Sequence, residues 1–194
     1  MINIVLIIIA YLLGSFPSAL VIGKTFYQKD IRNYGSGNLG STNAFRVLGK
    51  KGGAAVFFLD ILKGGLALLI ATYGGATISP LFIAVFSLIG HVYPIFANFR
   101  GGKAVATTAG IILFYSPTLF LTLFIIFAIT LKIWKMVSLS STIIAIATVM
   151  IVWFGNYDLT AKIMFSLIAA LIIYKHIPNY KRILNGTENK VTFL

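Results

Sequence analysis

Three stretches of this chain carry side chains suited to holding an anion. The first runs from Tyr34 to Arg46 and on to Gly53, with six glycines between residues 35 and 53. Gly35, Gly37 and Gly40 alternate with Ser36, Asn38, Ser41, Thr42 and Asn43. Glycine lets successive backbone N–H groups converge on one oxyanion, and such nests bind phosphate. Arg46 adds a planar fork that meets phosphate through two parallel hydrogen bonds. The second stretch, His91 to Thr107, sets Gly101-Gly102-Lys103 just ahead of an apolar run. Free N–H groups, the positive end of a helix dipole and a lysine make that position another anion site. In the third, His176, Asn179 and Arg182 recur every three residues and can share one helical face, with Glu188 as a partner for an arginine. The plainer alternatives are flexible connections for the first, a positively charged membrane anchor for the second and a structural histidine for the third.

Several familiar chemistries are missing. Gly101-Gly102-Lys103 is no Walker A loop, because Ala97 stands where the first glycine belongs, and Gly23-Lys24-Thr25 fails likewise at Ser18. Tyr34 precedes Ser36 by two, so there is no Gly-x-Ser-x-Gly nucleophile elbow. Neither histidine has an aspartate five residues on, where Phe96 and Lys181 fall. With two His, four acids, no Cys and no ligand spacing, a metal is not expected.

The elements that must position these motifs are membrane spans. Of the 194 residues, 59% are apolar and 10% charged, and the mean hydropathy is +0.96. A soluble domain carries about a quarter charged residues. The net charge of +12 points by itself to nucleic acid, which is rejected because the basic residues sit in short connections between apolar runs. The lipid bilayer is the expected surrounding, and the chain is expected to form one membrane domain over 1–194.

Apolar runs lie at 4–22, 53–73, 80–97, 104–131, 138–154 and 159–175. Nothing basic precedes the first, while Lys24, Lys29, Arg32, Arg46, Lys50 and Lys51 follow it. The positive-inside rule then puts the N-terminus outside and the 23–52 connection in the cytoplasm. Six spans would export Lys132, Lys135 and the basic tail. Ser116-Pro117 repairs this by dividing the long run into short helices, 104–115 and 117–131. The expected fold is therefore all-α, with seven transmembrane helices, the N-terminus outside and the C-terminus cytoplasmic. All but Lys63 and Lys162 of the 16 basic residues then lie at cytoplasmic positions. A 12-residue helix spans about 18 Å of a ~30 Å core, so a short helix needs shielding by protein or a thinned bilayer. Within the second span, Asp60 and Lys63 are spaced to form an ion pair.

The three motifs, in this order, resemble the bacterial acyl-phosphate-dependent glycerol-3-phosphate acyltransferases. The likeness rests on Gly35-Ser36-Gly37-Asn38, Gly40, Thr42-Asn43 and Arg46, then Gly90-His91, Pro94, Phe96, Phe99 and Gly101-Gly102-Lys103 with Val105-Ala106-Thr107, and finally His176, Asn179, Arg182 and Asn185-Gly186-Thr187-Glu188. It covers most of the chain. Departures from the family pattern are Leu39 for proline, Arg100 for lysine and Ile177 for a basic residue.

The resemblance implies transfer of a fatty acyl group from acyl phosphate to the 1-hydroxyl of sn-glycerol 3-phosphate, giving lysophosphatidate and phosphate for phospholipid synthesis. It implies a multi-pass protein of the bacterial cytoplasmic membrane with its site at the cytoplasmic face. Ser36, Arg46, Lys103, His176 and Asn179 would be catalytic; Gly35, Gly37, Asn38, Gly40, Thr42, Asn43, Gly101, Gly102 and Arg182 would bind substrate. Of these, His176 and Asn179 would orient the glycerol hydroxyl. The partners are then the two phosphate-bearing substrates and the lipid bilayer. An acyl phosphate is already activated, so no cofactor is required. The alternative from another class is an anion carrier for phosphate or organic phosphates, which would place its binding residues at mid-membrane depth.

Overall fold

A computed structural model describes residues 1–191, so the last three positions of the expected 1–194 domain lie outside the described residues. Those described residues form helices and connections without a strand. They divide into two compact units, Met1–Tyr115 and a second beginning at Ser116.

The first unit contains α1 (Ile2–Ser15), α2 (Ser18–Tyr27), α3 (Ser41–Tyr73), α4 (Pro80–Val92) and α5 (Val105–Tyr115). The expected first span, 4–22, is a broken helix. Pro17 lacks an N–H and its ring clashes with the preceding turn, which ends α1 before α2 begins.

Backbones meet closely at two crossings. Gly14 of α1 faces the Ser87 carbonyl and Gly90 of α4 faces the Tyr11 carbonyl. Gly64 of α3 and Gly110 of α5 lie likewise against the Thr107 and Ile61 carbonyls. Lipid gives helices no hydrophobic reason to associate, so small residues that permit close packing carry the contact.

The long 23–52 connection expected from the sequence is corrected by α3. Its helix starts at Ser41, within the first motif, and bends at Gly49, where φ is 75° and ψ −173°. Ala44 and Leu48, four residues apart, bury the inner side of this polar-looking turn against Ala19, Ile31 and Val56. Polar composition concealed a short amphipathic helix.

The break at Ser116-Pro117 is where the sequence put it. The Ser116 hydroxyl accepts from Leu119 N–H at 3.3 Å, with proline in the first helical position. This opens the second unit: α6 (Pro117–Trp134), α7 (Val137–Phe154), α8 (Leu159–Lys175) and α9 (Ile177–Leu184). Only one helix of the divided run is short. α6 has 18 residues, about 27 Å of rise. α5 has 11, about 17 Å, and buries Thr107, Thr108, Ile111 and Ile112 in protein.

Among the described residues, five helical stretches are long and apolar enough to cross a membrane, or six if α8 and α9, bent by 49°, form one. α5 stands where a seventh was expected, and it is too short to cross alone.

Candidate active site

In the first unit, one buried amide organises the glycine-rich loop. Asn43 lies in the first turn of α3, and its Oδ1 accepts the Ser36 N–H at 2.9 Å. Its Nδ2 donates to the carbonyls of Tyr34 and Asn38, each at 3.1 Å, and to Ile31 at 3.4 Å. Gly35 and Gly37 take φ of 61° and 68°, which glycine adopts without strain. Just upstream, Arg32 grips Asp30 through Nε (2.9 Å) and Nη2 (2.6 Å). That guanidinium, outweighing partial burial, holds the Asp30 carboxyl well below its usual range. The loop is thus pinned at both ends while Ser36, Thr42 and Arg46 stay exposed.

The second motif meets the first through Asn38. Its Oδ1 accepts from Gly40 N–H at 2.8 Å and its Nδ2 donates to the Gly101 carbonyl at 3.3 Å. Gly102 N–H donates to the His91 carbonyl at 3.0 Å, and the His91 ring fills the space a side chain at Gly102 would need. Lys103 is half-buried just before α5. Two loops 63 residues apart therefore share one hydrogen-bonded framework. Beside it, an open groove of about 470 Å³ runs between Phe16, Leu20, Val21 and Phe96, with Lys24 and Thr25 at its polar rim.

The second unit arranges the third motif around a carboxylate. Glu188 Oε1 accepts from the Ser138 hydroxyl (2.7 Å) and Asn179 Nδ2 (2.6 Å), and Oε2 accepts from Arg182 Nε (2.7 Å). Burial pushes the Glu188 carboxyl up, but the three hydrogen bonds and the Arg182 charge outweigh it and leave it below its ordinary range. His176 sits buried at the bend between α8 and α9, its Nδ1 2.8 Å from the Ile172 carbonyl. A carbonyl there requires the proton on Nδ1, so Nε2 is the basic atom of the neutral ring.

A sequence description of glycerol-3-phosphate acyltransferases matches residues 4–186. The chain belongs to the glycerol-3-phosphate acyltransferase family. Relatives of that name in Bacillus subtilis (strain 168), 51% identical over 97% of both chains, and in Listeria monocytogenes serotype 4a (strain HCC23), 48% identical over 100% of this chain and 99% of that one, are similar along their whole length. The crystal structure of PlsY, an integral membrane glycerol 3-phosphate acyltransferase, in its glycerol 3-phosphate form superposes with a TM-score of 0.92. Its identity is 40%, over 98% of this chain and 96% of that one. The lysophosphatidic acid form gives 0.89 at 38% identity.

Membership of this acyltransferase family displaces the carrier alternative. The structure joins the first two motifs and gathers Asn179 and Arg182 at Glu188. It also reveals a cluster that motif reading left aside. Asp60 and Lys63 pair as their spacing predicts, at 2.9 Å, but they also reach Ser18 and Phe16, and His91 stands nearby. The only sequence signal was two charges in an apolar span, which marks intramembrane sites in general.

Proposed function

We propose that this acyltransferase moves a fatty acyl group from acyl phosphate to the 1-hydroxyl of sn-glycerol 3-phosphate. The hydroxyl oxygen bonds to the acyl carbonyl carbon and the carbon–oxygen bond to phosphate breaks. The hydroxyl proton passes to a substrate phosphate oxygen. Lysophosphatidate and inorganic phosphate leave.

The observation that carries this reading is the Asn38–Gly101 hydrogen bond. It joins two glycine-rich, basic loops, and the reaction has two phosphate-bearing substrates. Arg46 and Lys103 neutralise charge as it develops on the departing phosphate, and Ser36 and Thr42 donate to phosphate oxygens. The glycines at 35, 37, 40, 101 and 102 let backbone approach the anions. Asn43 and Asn38 act by holding the loops, since their amides are engaged there. His176 and Asn179 orient the glycerol hydroxyl, and the Arg182 nitrogens beyond Nε complete a phosphate contact. The groove beside Phe16 and Phe96 offers the acyl chain an apolar path.

In this proposal the whole chain works as one seven-span domain, with the N-terminus outside and the motifs at the cytoplasmic face of the bacterial inner membrane. A cysteine introduced at the exposed Lys135 should resist impermeant thiol reagents in intact cells, while one at Asn156 should react; reversed labelling refutes this orientation. The activity itself is tested with purified protein in detergent. Phosphate release should require both acyl phosphate and glycerol 3-phosphate, and release that ignores the acceptor would defeat the assignment.

A further inference from the structure

A buried ion pair outside the three motifs ties the α1–α2 break to the second glycine loop. Asp60 and Lys63 are one turn apart on α3, each less than a tenth exposed, and meet at 2.9 Å. They reach opposite flanks of the break at Pro17. Lys63 Nζ donates to the Phe16 carbonyl at 3.1 Å. Asp60 Oδ1 accepts from the Ser18 hydroxyl, on the first residue of α2, at 2.9 Å. His91 Nδ1 lies 3.6 Å from that same oxygen, and the His91 carbonyl receives the Gly102 N–H. A space of only about 10 Å³ is left among Ser18, Lys63, His91, Gly101 and Gly102. These groups are in near contact, and a shift of one must move the others.

Stability is a poor reason to bury this pair. Taking two charges out of water costs several kcal/mol per ion, and apolar replacements of a buried pair are often neutral or stabilising. Fixed geometry is the better reason. An ammonium locked to both Asp60 and the Phe16 carbonyl defines where the break lies relative to α3, and the His91 ring carries that definition to Gly102.

We infer that Asp60 and Lys63, through Ser18 and His91, set the position of the Gly101-Gly102-Lys103 loop and so its grip on a substrate phosphate. They are positioning residues. The inference rests on the acyltransfer proposed above, in which this loop holds phosphate. Misplacement by about 1 Å at a reacting site can cost on the order of a hundredfold, so a loop displaced by part of that distance should weaken phosphate binding measurably.

The test compares wild type with Asp60→Asn, Lys63→Met, the double variant and Ser18→Ala. Both KM values are measured, together with equilibrium binding of radiolabelled glycerol 3-phosphate and of inorganic phosphate. KM does not depend on how much of the protein is folded, whereas apparent kcat does. The ion-pair variants should raise one KM about tenfold, by more than kcat falls. The double variant leaves no unpaired buried charge, so it should fold in better yield than Lys63→Met while keeping the raised KM. Ser18→Ala retains the ion pair and should raise the same KM about threefold; it decides the matter if the ion-pair variants do not fold. Unchanged KM values and unchanged phosphate binding in Ser18→Ala and the double variant would overturn the inference and make the pair a structural brace. Wild-type turnover alongside that result would leave the acyltransfer intact. An inactive wild type that still binds phosphate would defeat the acyltransfer alone, and the variants' phosphate affinity would then decide the inference.

Discussion

The first and third motifs read alike in sequence, as polar, basic segments beside apolar spans, yet they are built on opposite electrostatic plans. Residues 34–53 contain Arg46, Lys50 and Lys51 and no acid, and the loop is held by neutral amide hydrogen bonds from Asn43 and Asn38. Residues 176–188 contain Glu188, which draws Asn179, Arg182 and Ser138 onto one carboxylate. A segment that carries cations without its own acid is prepared for an anion from solution. A segment that brings its own carboxylate has spent part of its charge on fixing itself. On this view the glycine loops bind and the third motif is first a rigid mount.

The contrast would break most visibly at Glu188. Glu188→Ala strands Arg182, Asn179 and Ser138 at a largely buried site, and should cost about 3 kcal/mol. A protein of this size then loses about 6–12 °C in Tm, which thermal unfolding in detergent will read. An unchanged Tm would mean the carboxylate mounts nothing. Arg46→Lys should do the reverse, leaving Tm alone because the side chain is exposed. A lysine keeps the charge and loses the bidentate fork, so kcat/KM should fall by about 10–150-fold, or 1.5–3 kcal/mol. Wild-type kinetics in a folded Arg46→Lys variant would reduce Arg46 to an anchor for α3.

A smaller effect sharpens the same comparison through pH. The Glu188 carboxyl lies below its ordinary value of 4.5 in the folded protein. Its contribution to stability is therefore complete above that value and is lost as pH falls through the lower folded one. Tm of the wild type should drop below about pH 4.5 more steeply than that of Glu188→Gln, which has no carboxyl to protonate. Parallel curves would remove Glu188 from the account.

How much of this was legible follows from the range of each interaction. The break at Ser116-Pro117 is a local backbone rule, and it appears where the sequence put it. The Asp60–Lys63 pair is three residues apart on a helix, so spacing alone revealed it. Its links to Ser18, 42 residues away, and to His91 depend on how α2, α3 and α4 pack together, which no local pattern encodes. The Asn38–Gly101 bond was hidden for the same reason. The start of α3 was misread for a different one: Ser, Thr, Asn and Gly favour loops by propensity, and only the burial of Ala44 and Leu48 overrides them.

Direct transfer from bound acyl phosphate to the hydroxyl of bound glycerol 3-phosphate is the central claim, and Ser36 is where it is most exposed to contradiction. A serine nucleophile needs an adjacent base. The His91 imidazole, the candidate in the first unit, is buried against Asp60 and Gly102. Purified protein is mixed with radiolabelled acyl phosphate without glycerol 3-phosphate, sampled by denaturation, and then given the acceptor. The account predicts unlabelled protein before the acceptor is added, and labelled lysophosphatidate with one phosphate released per turnover afterwards. Stoichiometric label on Ser36 with a burst of phosphate before the acceptor arrives would contradict it.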